Sequence, residues 1–255
     1  FRQPGEVLEL RIPKAGRYKT ISGYFDNPNA FADAVVGLAE DEMFAGYYFT
    51  INQVEPALLA RSANKPKKYA ESTTTDADIL RRRWLPIDLD PVRPAGISSS
   101  DEEHGAALDM TREIRAWLIS QGWPDNAFIR ADSGNGGHLA VRIDLANDET
   151  ANNLVKSCLE ALDFHFSNEK VKVDTSTLNA ARIWKIYGTM ARKGDSTADR
   201  PHRLAKLLDV PETSETVSRE HLEALAAMLP TQDASSKESY SRGAGFDPVA
   251  YCQAH

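Results

Sequence analysis

The stretch WLPIDLDP, residues 84–91, decides how this chain is read. Successive side chains of an extended strand point to opposite faces. Leu85, Ile87 and Leu89 therefore share one face, and Asp88 and Asp90 project together from the other. The apolar face needs a core to lie against. The acidic face has two readings. One is a strand that ends in solvated acids before Pro91. The other is a hard-metal site, because Mg2+ and Mn2+ take carboxylate oxygens, and clustered acids can bridge two ions that align an attacking hydroxyl with a phosphate leaving group.

Downstream lies FIRADSGNGGHLAVRIDL, residues 128–145, two strand patterns joined by Ser133, Gly134, Asn135, Gly136 and Gly137. A plain hairpin accounts for this pattern, since glycines supply positive φ cheaply. A Gly-rich loop ending in His138 can also aim backbone N–H groups and an imidazole at an anion such as a triphosphate. On the second strand His138, Ala140, Arg142 and Asp144 alternate with Leu139, Val141 and Ile143, so the polar set shares a face. In VKVD, residues 171–174, Lys172 and Asp174 point away from Val171 and Val173, which makes Asp174 a candidate third metal ligand. From Arg182 to Lys206 seven bases (Arg182, Lys185, Arg192, Lys193, Arg200, Arg203, Lys206) face two acids, Asp195 and Asp199. Such a run is either a solvated face or a phosphate-binding one. The shorter basic stretches 61–68 and 81–83 read as surface.

Further strand-like runs are VLELRI, GYYFTI and IWKIYG. A helix is predicted from Ser100 to Gly122, with a Ser100–Glu103 capping box, an apolar stripe of Ala107, Met110, Ile114, Trp117 and Leu118, and Gly122 and Pro124 as stop signals. A second is predicted over about 148–162 and a third from Pro28. Strands and helices do not alternate in strict βαβ order, so the expected class is α+β, a sheet with helices on one face.

The chain has 255 residues, 42% of them hydrophobic and 26% charged, which excludes disordered, fibrous and collagen-like classes. Its net charge of −7 disfavours a protein coated in positive charge but permits a local basic groove. Cys158 and Cys252 form no CxxC pair, so no thiolate zinc site or disulfide framework can be drawn, and a reducing cytoplasm is the simplest compartment. No run of about 18 apolar residues suggests a membrane span, FRQPGEV does not read as a signal peptide, and the missing initial Met suggests processing or trimming. Composition changes near Asp209, after which acids predominate to Glu238. The expected organisation is a catalytic unit at 1–210, a helical appendage at 211–230 with Leu222, Leu225, Ala226 and Leu229 in register after a Ser218 cap, and a linker at 231–255 that ends in a truncated element.

The acid pair, the Ser133–His138 loop and strand-borne Asp174, in that order, resemble the three motifs of the archaeo-eukaryotic primase superfamily. The segments YYFTINQVEPALLARSANK (47–65) and NAARIWKIYGTMARKGD (179–195) are similar to primase-polymerase domains of phages and mobile elements. The resemblance covers about residues 20–210. It implies an RRM-like palm of mixed or antiparallel sheet backed by helices, with a smaller N-terminal αβ lobe holding template. It implies DNA primase and polymerase activity by nucleotidyl transfer, with Asp88, Asp90 and Asp174 as ligands of two Mg2+ or Mn2+ ions. Ser133, Gly134, Asn135, Gly136, Gly137 and His138 would then meet the triphosphate of a nucleoside triphosphate substrate, with Arg182 and Lys185 as further phosphate contacts. Arg192, Lys193, Arg200 and Arg203 are the candidate nucleic-acid contacts. Implied partners are a single-stranded DNA template, a primer and a helicase or zinc-binding region beyond residue 255; no membrane is implied. One departure from the family pattern is that no Cys/His zinc module follows the catalytic motifs.

Other classes fit less well. A metal-dependent nuclease would use the same acids on a phosphodiester but leaves the Gly-rich loop unexplained. A non-enzymatic RRM-like binding module lacks an evident exposed aromatic pair, and its acids would repel phosphate. A rolling-circle initiator needs a His-x-His pair, which the sequence lacks.

Overall fold

A computed structural model describes residues 1, 3, 5–41 and 44–230. The expected linker and truncated element at 231–255 lie outside the described residues. In chain order the elements are β1 (Leu8–Pro13), β2 (Thr20–Phe25), α1 (Pro28–Asp41), β3 (Tyr48–Thr50), β4 (Gln53–Val54), β5 (Lys67–Lys68), β6 (Ile79–Pro91) and α2 (Asp101–Ser120). They continue with β7 (Phe128–Asp132), β8 (Gly137–Ala146), α3 (Glu149–Phe166), β9 (Val171–Val173), β10 (Ile183–Lys185), β11 (Met190–Ala191), β12 (Arg203–Leu204), β13 (Lys206–Asp209) and α4 (Arg219–Ala226).

Two large antiparallel sheets and a small one, β11-β12, form among the described residues, so the class is α+β. The first has the order β10-β3-β1-β2-β5 and the second β13-β7-β8-β6-β4, while β9 pairs with the C-terminal end of β6. In the second sheet the chain runs β6-α2-β7-β8-α3-β9, and those four strands stand in the spatial order β9-β6-β8-β7. That is the split βαβ arrangement of ferredoxin-like sheets. The alternation read from the sequence explains its layers. Leu85, Ile87 and Leu89 of β6 and Leu139, Val141 and Ile143 of β8 form one core with Met110, Ile114 and Leu118 of α2 and Val155, Leu159 and Leu162 of α3. The opposite face turns toward the first sheet: Trp84, Ile129 and Ala140 share a core with Leu10, Ile12 and Ile21 and with Val35 and Leu38 of α1. Asp88, Asp90 and His138 therefore lie on the face between the sheets.

The caps are formed as expected. Ser100 N donates to Glu103 Oε2 (2.9 Å), Glu103 N donates to Ser100 Oγ (3.2 Å), and Asp148 caps α3 by accepting from Ala151 N (2.8 Å).

Two features differ from expectation. The first sheet is not purely N-terminal, because Ile183–Lys185 pairs with Tyr48–Thr50 at its edge and links the two units. The helix set apart as an appendage also belongs to the main core: Leu222 and Leu225 of α4 are 1% and 2% exposed and pack with α3, and Val217 N donates to Arg142 O (2.9 Å). Leu222 and Leu225 are in register in the sequence, but the acidic composition describes only the solvent face, and nothing local to the helix shows that its apolar face packs on α3.

Candidate active site

The three aspartates converge. Asp88 and Asp90 sit two residues apart on β6. The ladder between β6 and β9 continues past Val173, since Asp174 N donates to Asp88 O (2.8 Å). One carboxylate oxygen from each of Asp88, Asp90 and Asp174 lies within 4.8 Å of the others. Asp174 is braced by Ser176 N, which donates to its Oδ1 (2.8 Å). Burial, then Asp90 and Asp174, raises the Asp88 carboxyl well above its ordinary range, with Lys193 and Arg182 opposing. A carboxylate held near two others is short of positive charge. An all-oxygen donor set of this kind suits a hard divalent cation.

Beside the triad a cavity of about 320 Å³ is lined by Tyr48, Asp88, Asp90, Ser133, Asn135, His138, Arg182, Trp184, Lys185 and Lys193, among others. His138 stands opposite Asp88 across the β6–β8 ladder, and its Nε2 is 3.5 Å from Asp88 Oδ1. Its ring stacks on Trp184 at 3.9 Å between centroids. Burial is the main cause lowering its pKa to about 3, so the imidazole is neutral. Tyr187 bears on the tautomer. The indole Nε1–H of Trp184 donates to its hydroxyl oxygen (2.8 Å), and burial holds the phenol protonated, so its own O–H is free to donate to His138 Nδ1 (3.0 Å). With that O–H as the donor, the proton of the neutral ring resides on Nε2, the nitrogen nearer Asp88.

The Gly-rich loop works differently from the expected cradle. Gly134 N donates to Asp132 Oδ1 (2.6 Å), while Gly136 N (3.0 Å) and Asn135 N (3.4 Å) donate to Ser133 Oγ. These three donors are used inside the loop. Its glycines are required by packing: a Cβ on Gly136 would lie 2.3 Å from Leu89 O, and one on Gly137 would lie 2.6 Å from Ala107 O. What the loop presents to the cavity is Ser133, Asn135 and His138. Asn135 Oδ1 also accepts from Ser99 N (3.0 Å), which ties the loop to the start of α2.

The basic run divides. Arg182, Lys185 and Lys193 line the cavity. Lys185 is buried, donates to Met190 O (2.8 Å), and is lowered to about 7 by burial and then by Arg192. Arg192 donates to Phe44 O (3.3 Å) and is half-buried. Arg200 and Arg203 do not reach the cavity. Arg200 forks onto Glu103 (2.7 and 2.9 Å), and Arg203 pairs with Asp101 (2.6 Å) and Ser99 O (2.8 Å), so both fasten their loop to the first turn of α2. Sequence reasoning missed Tyr48, Trp184 and Tyr187 at the site and Asp132 behind it. For Trp184 and Tyr187 the signal was the aromatic spacing in IWKIYG.

No protein-family model matches the chain, and no curated protein does. Among solved structures the chain is similar to the crystal structure of primase RepB', with a TM-score of 0.44 and 10% identity, over 87% of this chain and 57% of that one. The chain thus spans little more than half of that protein's length, and a likeness at this level decides neither fold nor function.

Proposed function

We propose that this chain is a template-directed nucleotidyltransferase, a DNA primase and polymerase of the archaeo-eukaryotic primase type that serves replication of a phage or mobile element. One observation carries the reading: three carboxylates within 4.8 Å border a cavity lined by Arg182, Lys185, Lys193 and a neutral His138. Acids and bases placed side by side suit a substrate that brings both divalent cations and phosphates. The spatial order β9-β6-β8-β7 supports reading the second sheet as an RRM-like palm.

On this reading Asp88, Asp90 and Asp174 hold the ions, Mg2+ or Mn2+. The ions would polarise the attacking hydroxyl and neutralise charge on the leaving pyrophosphate. The residues supply the rest. The shortage of positive charge around Asp88 makes a cation welcome, at the cost of the proton that Asp88 would otherwise keep. His138 Nε2–H is a neutral donor to a phosphate oxygen, aimed by Tyr187 and held flat by Trp184. Arg182 and Lys185 offset triphosphate charge, with Ser133 and Asn135 as neutral contacts. A 3′-hydroxyl oxygen forms the new bond to the α-phosphorus, the bond from that phosphorus to the bridging oxygen breaks, pyrophosphate leaves, and the hydroxyl proton passes to solvent. Lys193 is the candidate contact to nucleic acid best placed at the cavity. A single-stranded DNA template, a primer and a helicase or zinc-binding region are the proposed partners.

The test supplies single-stranded DNA, Mn2+ or Mg2+ and nucleotides labelled at the α-phosphate, with and without primer. Label should enter chains only when the complementary template base is present, with one pyrophosphate released per nucleotide. DNA shortened without incorporation would establish a nuclease instead.

A further inference from the structure

A second cavity, of about 270 Å³, adjoins the first at Asp90 and Lys193, which line both. The rest of its wall is the turn Pro91–Ile97 and Lys172 of β9. Lys172 is the Cα partner of Asp90 across the β6–β9 ladder. Directly opposite residues of an antiparallel pair present their side chains on one face, so the Lys172 ammonium belongs to the face of Asp88, Asp90 and Asp174. Arg93 is fixed in the wall: its side chain is only 6% exposed, Nε donates to Ile97 O (3.1 Å), Nη1 donates to Pro91 O (2.9 Å), and Nη2 lies 3.7 Å from Asp90 Oδ1.

Lys172 and Lys193 contrast with it. Both are exposed, and their ammonium groups make no hydrogen bond or ion pair among the described residues. Three cations thus stand with one carboxylate in the lining: Arg93 is pinned, Lys193 also offsets the charge of Asp88, and Lys172 is unengaged. A lysine directly opposite an aspartate commonly pairs with it across the strands; here it stands open to the cavity. Positive charge in excess of the one carboxylate of a concave lining calls for an anion.

We infer that this cavity binds the phosphate of the reactant that supplies the attacking 3′-hydroxyl, with Lys172 and Lys193 as its contacts and Arg93 holding Asp90 in place. The inference rests on the transferase reading, because that reaction brings two phosphate-bearing partners to one set of carboxylates and the first cavity is assigned to the incoming nucleotide. The same phosphate chemistry has two sources: the phosphodiester behind a primer's 3′ end, or the 5′-triphosphate of the first nucleotide when no primer is present.

The test uses the full chain and the variants Lys172→Ala and Lys172→Arg. In the primed arm, Lys172→Ala should raise the KM for primer on the order of tenfold, with the KM for incoming nucleotide changed by less than about twofold. The slope of log affinity against log salt for a fluorescent single-stranded primer, read by anisotropy, should fall by about 0.7, the share of one phosphate contact. Lys172→Arg should restore both. A parallel rise in the KM for the first nucleotide in the unprimed arm assigns its triphosphate to the same cavity, and a rise confined to the primed arm assigns the primer phosphodiester. A higher KM for incoming nucleotide with primer unaffected, or an unchanged salt slope, overturns the inference. Failure of the wild type to make any product would defeat the transferase reading, and the salt slope would still decide whether Lys172 meets a phosphate.

Discussion

Replacing Asp88 by Asn should stabilise the protein without metal and remove its stabilisation by metal. One oxygen of each of the three carboxylates lies within 4.8 Å of the others. At that separation two unit charges repel by about 3.5 kcal/mol at an effective dielectric constant near 20, and by about 0.9 kcal/mol in bulk water. The Asp88 side chain is 24% exposed, which places it between these limits. Asp90 and Asp174 both act on it, and Arg182 and Lys193 offset part of the repulsion. A net relief of about 1–3 kcal/mol follows. The sign is set by the raised pKa. The folded protein keeps the Asp88 proton to a higher pH than the unfolded chain does, so the stability linked to that proton is present in acid and is lost as pH rises through the folded value. Above it the ionised group costs stability, and Asn removes that cost. For a chain of this size the change corresponds to a Tm higher by roughly 3–10 °C. Thermal melts near pH 8 in EDTA and in Mn2+ provide the assay. Saturation at 100 times Kd would stabilise the wild type by about 2.7 kcal/mol, and Asp88→Asn should lose most of that gain. An Asn variant that melts below wild type in EDTA, or one that gains as much from Mn2+, would refute the reasoning.

Three further outcomes follow from particular contacts. Lys185, lowered from the usual 10.5 to about 7, binds fewer protons in the folded than in the unfolded chain across that window, so its contribution to stability rises with pH there. A bound triphosphate should restore the proton, and calorimetry near pH 8 in two buffers of different ionisation enthalpy should give unequal heats that become equal in Lys185→Met; equal heats for wild type would count against the contact. Gly136→Ala places a Cβ 2.3 Å from Leu89 O, between the two β6 aspartates, and should lower Tm and weaken the Mn2+ response although it removes no ligand; an undiminished response would show that β6 tolerates the shift. Leu222→Ala should cost about 2–5 kcal/mol in urea unfolding, whereas ending the chain after Pro230 should leave melting unchanged; a cost near zero would return α4 to the periphery.

The strands that flank the site were legible because each is buried on one face. Leu85, Ile87 and Leu89, and then Leu139, Val141 and Ile143, alternate with polar residues, and that period located Asp88, Asp90 and His138 on one surface. Helices α2 and α3 were legible from Ser100, Glu103 and Asp148 together with their apolar stripes. β2 was not, because TISGYF is buried along nearly its whole length and so has no alternation: Ser22 lies inside, donating to the fully buried Glu9 (2.6 Å). The division of the basic run was equally hidden. Arg200 and Arg203 have the same composition as a phosphate-binding surface, and only the fold brings Glu103 and Asp101, about a hundred residues earlier, against them. The glycine loop misled in a similar way, since a close approach to Leu89 O and a cradle for phosphate demand the same residue.

The most direct test of the account is the length of a 5′-labelled primer, annealed to a longer template strand, after incubation with the protein, nucleotides and Mn2+ or Mg2+. The account predicts longer products with wild type and none with Asp88→Ala, Asp90→Ala or Asp174→Ala, each folded by its melting curve. Primers that are shortened, or a primer lengthened as well by Asp174→Ala as by wild type, would contradict it.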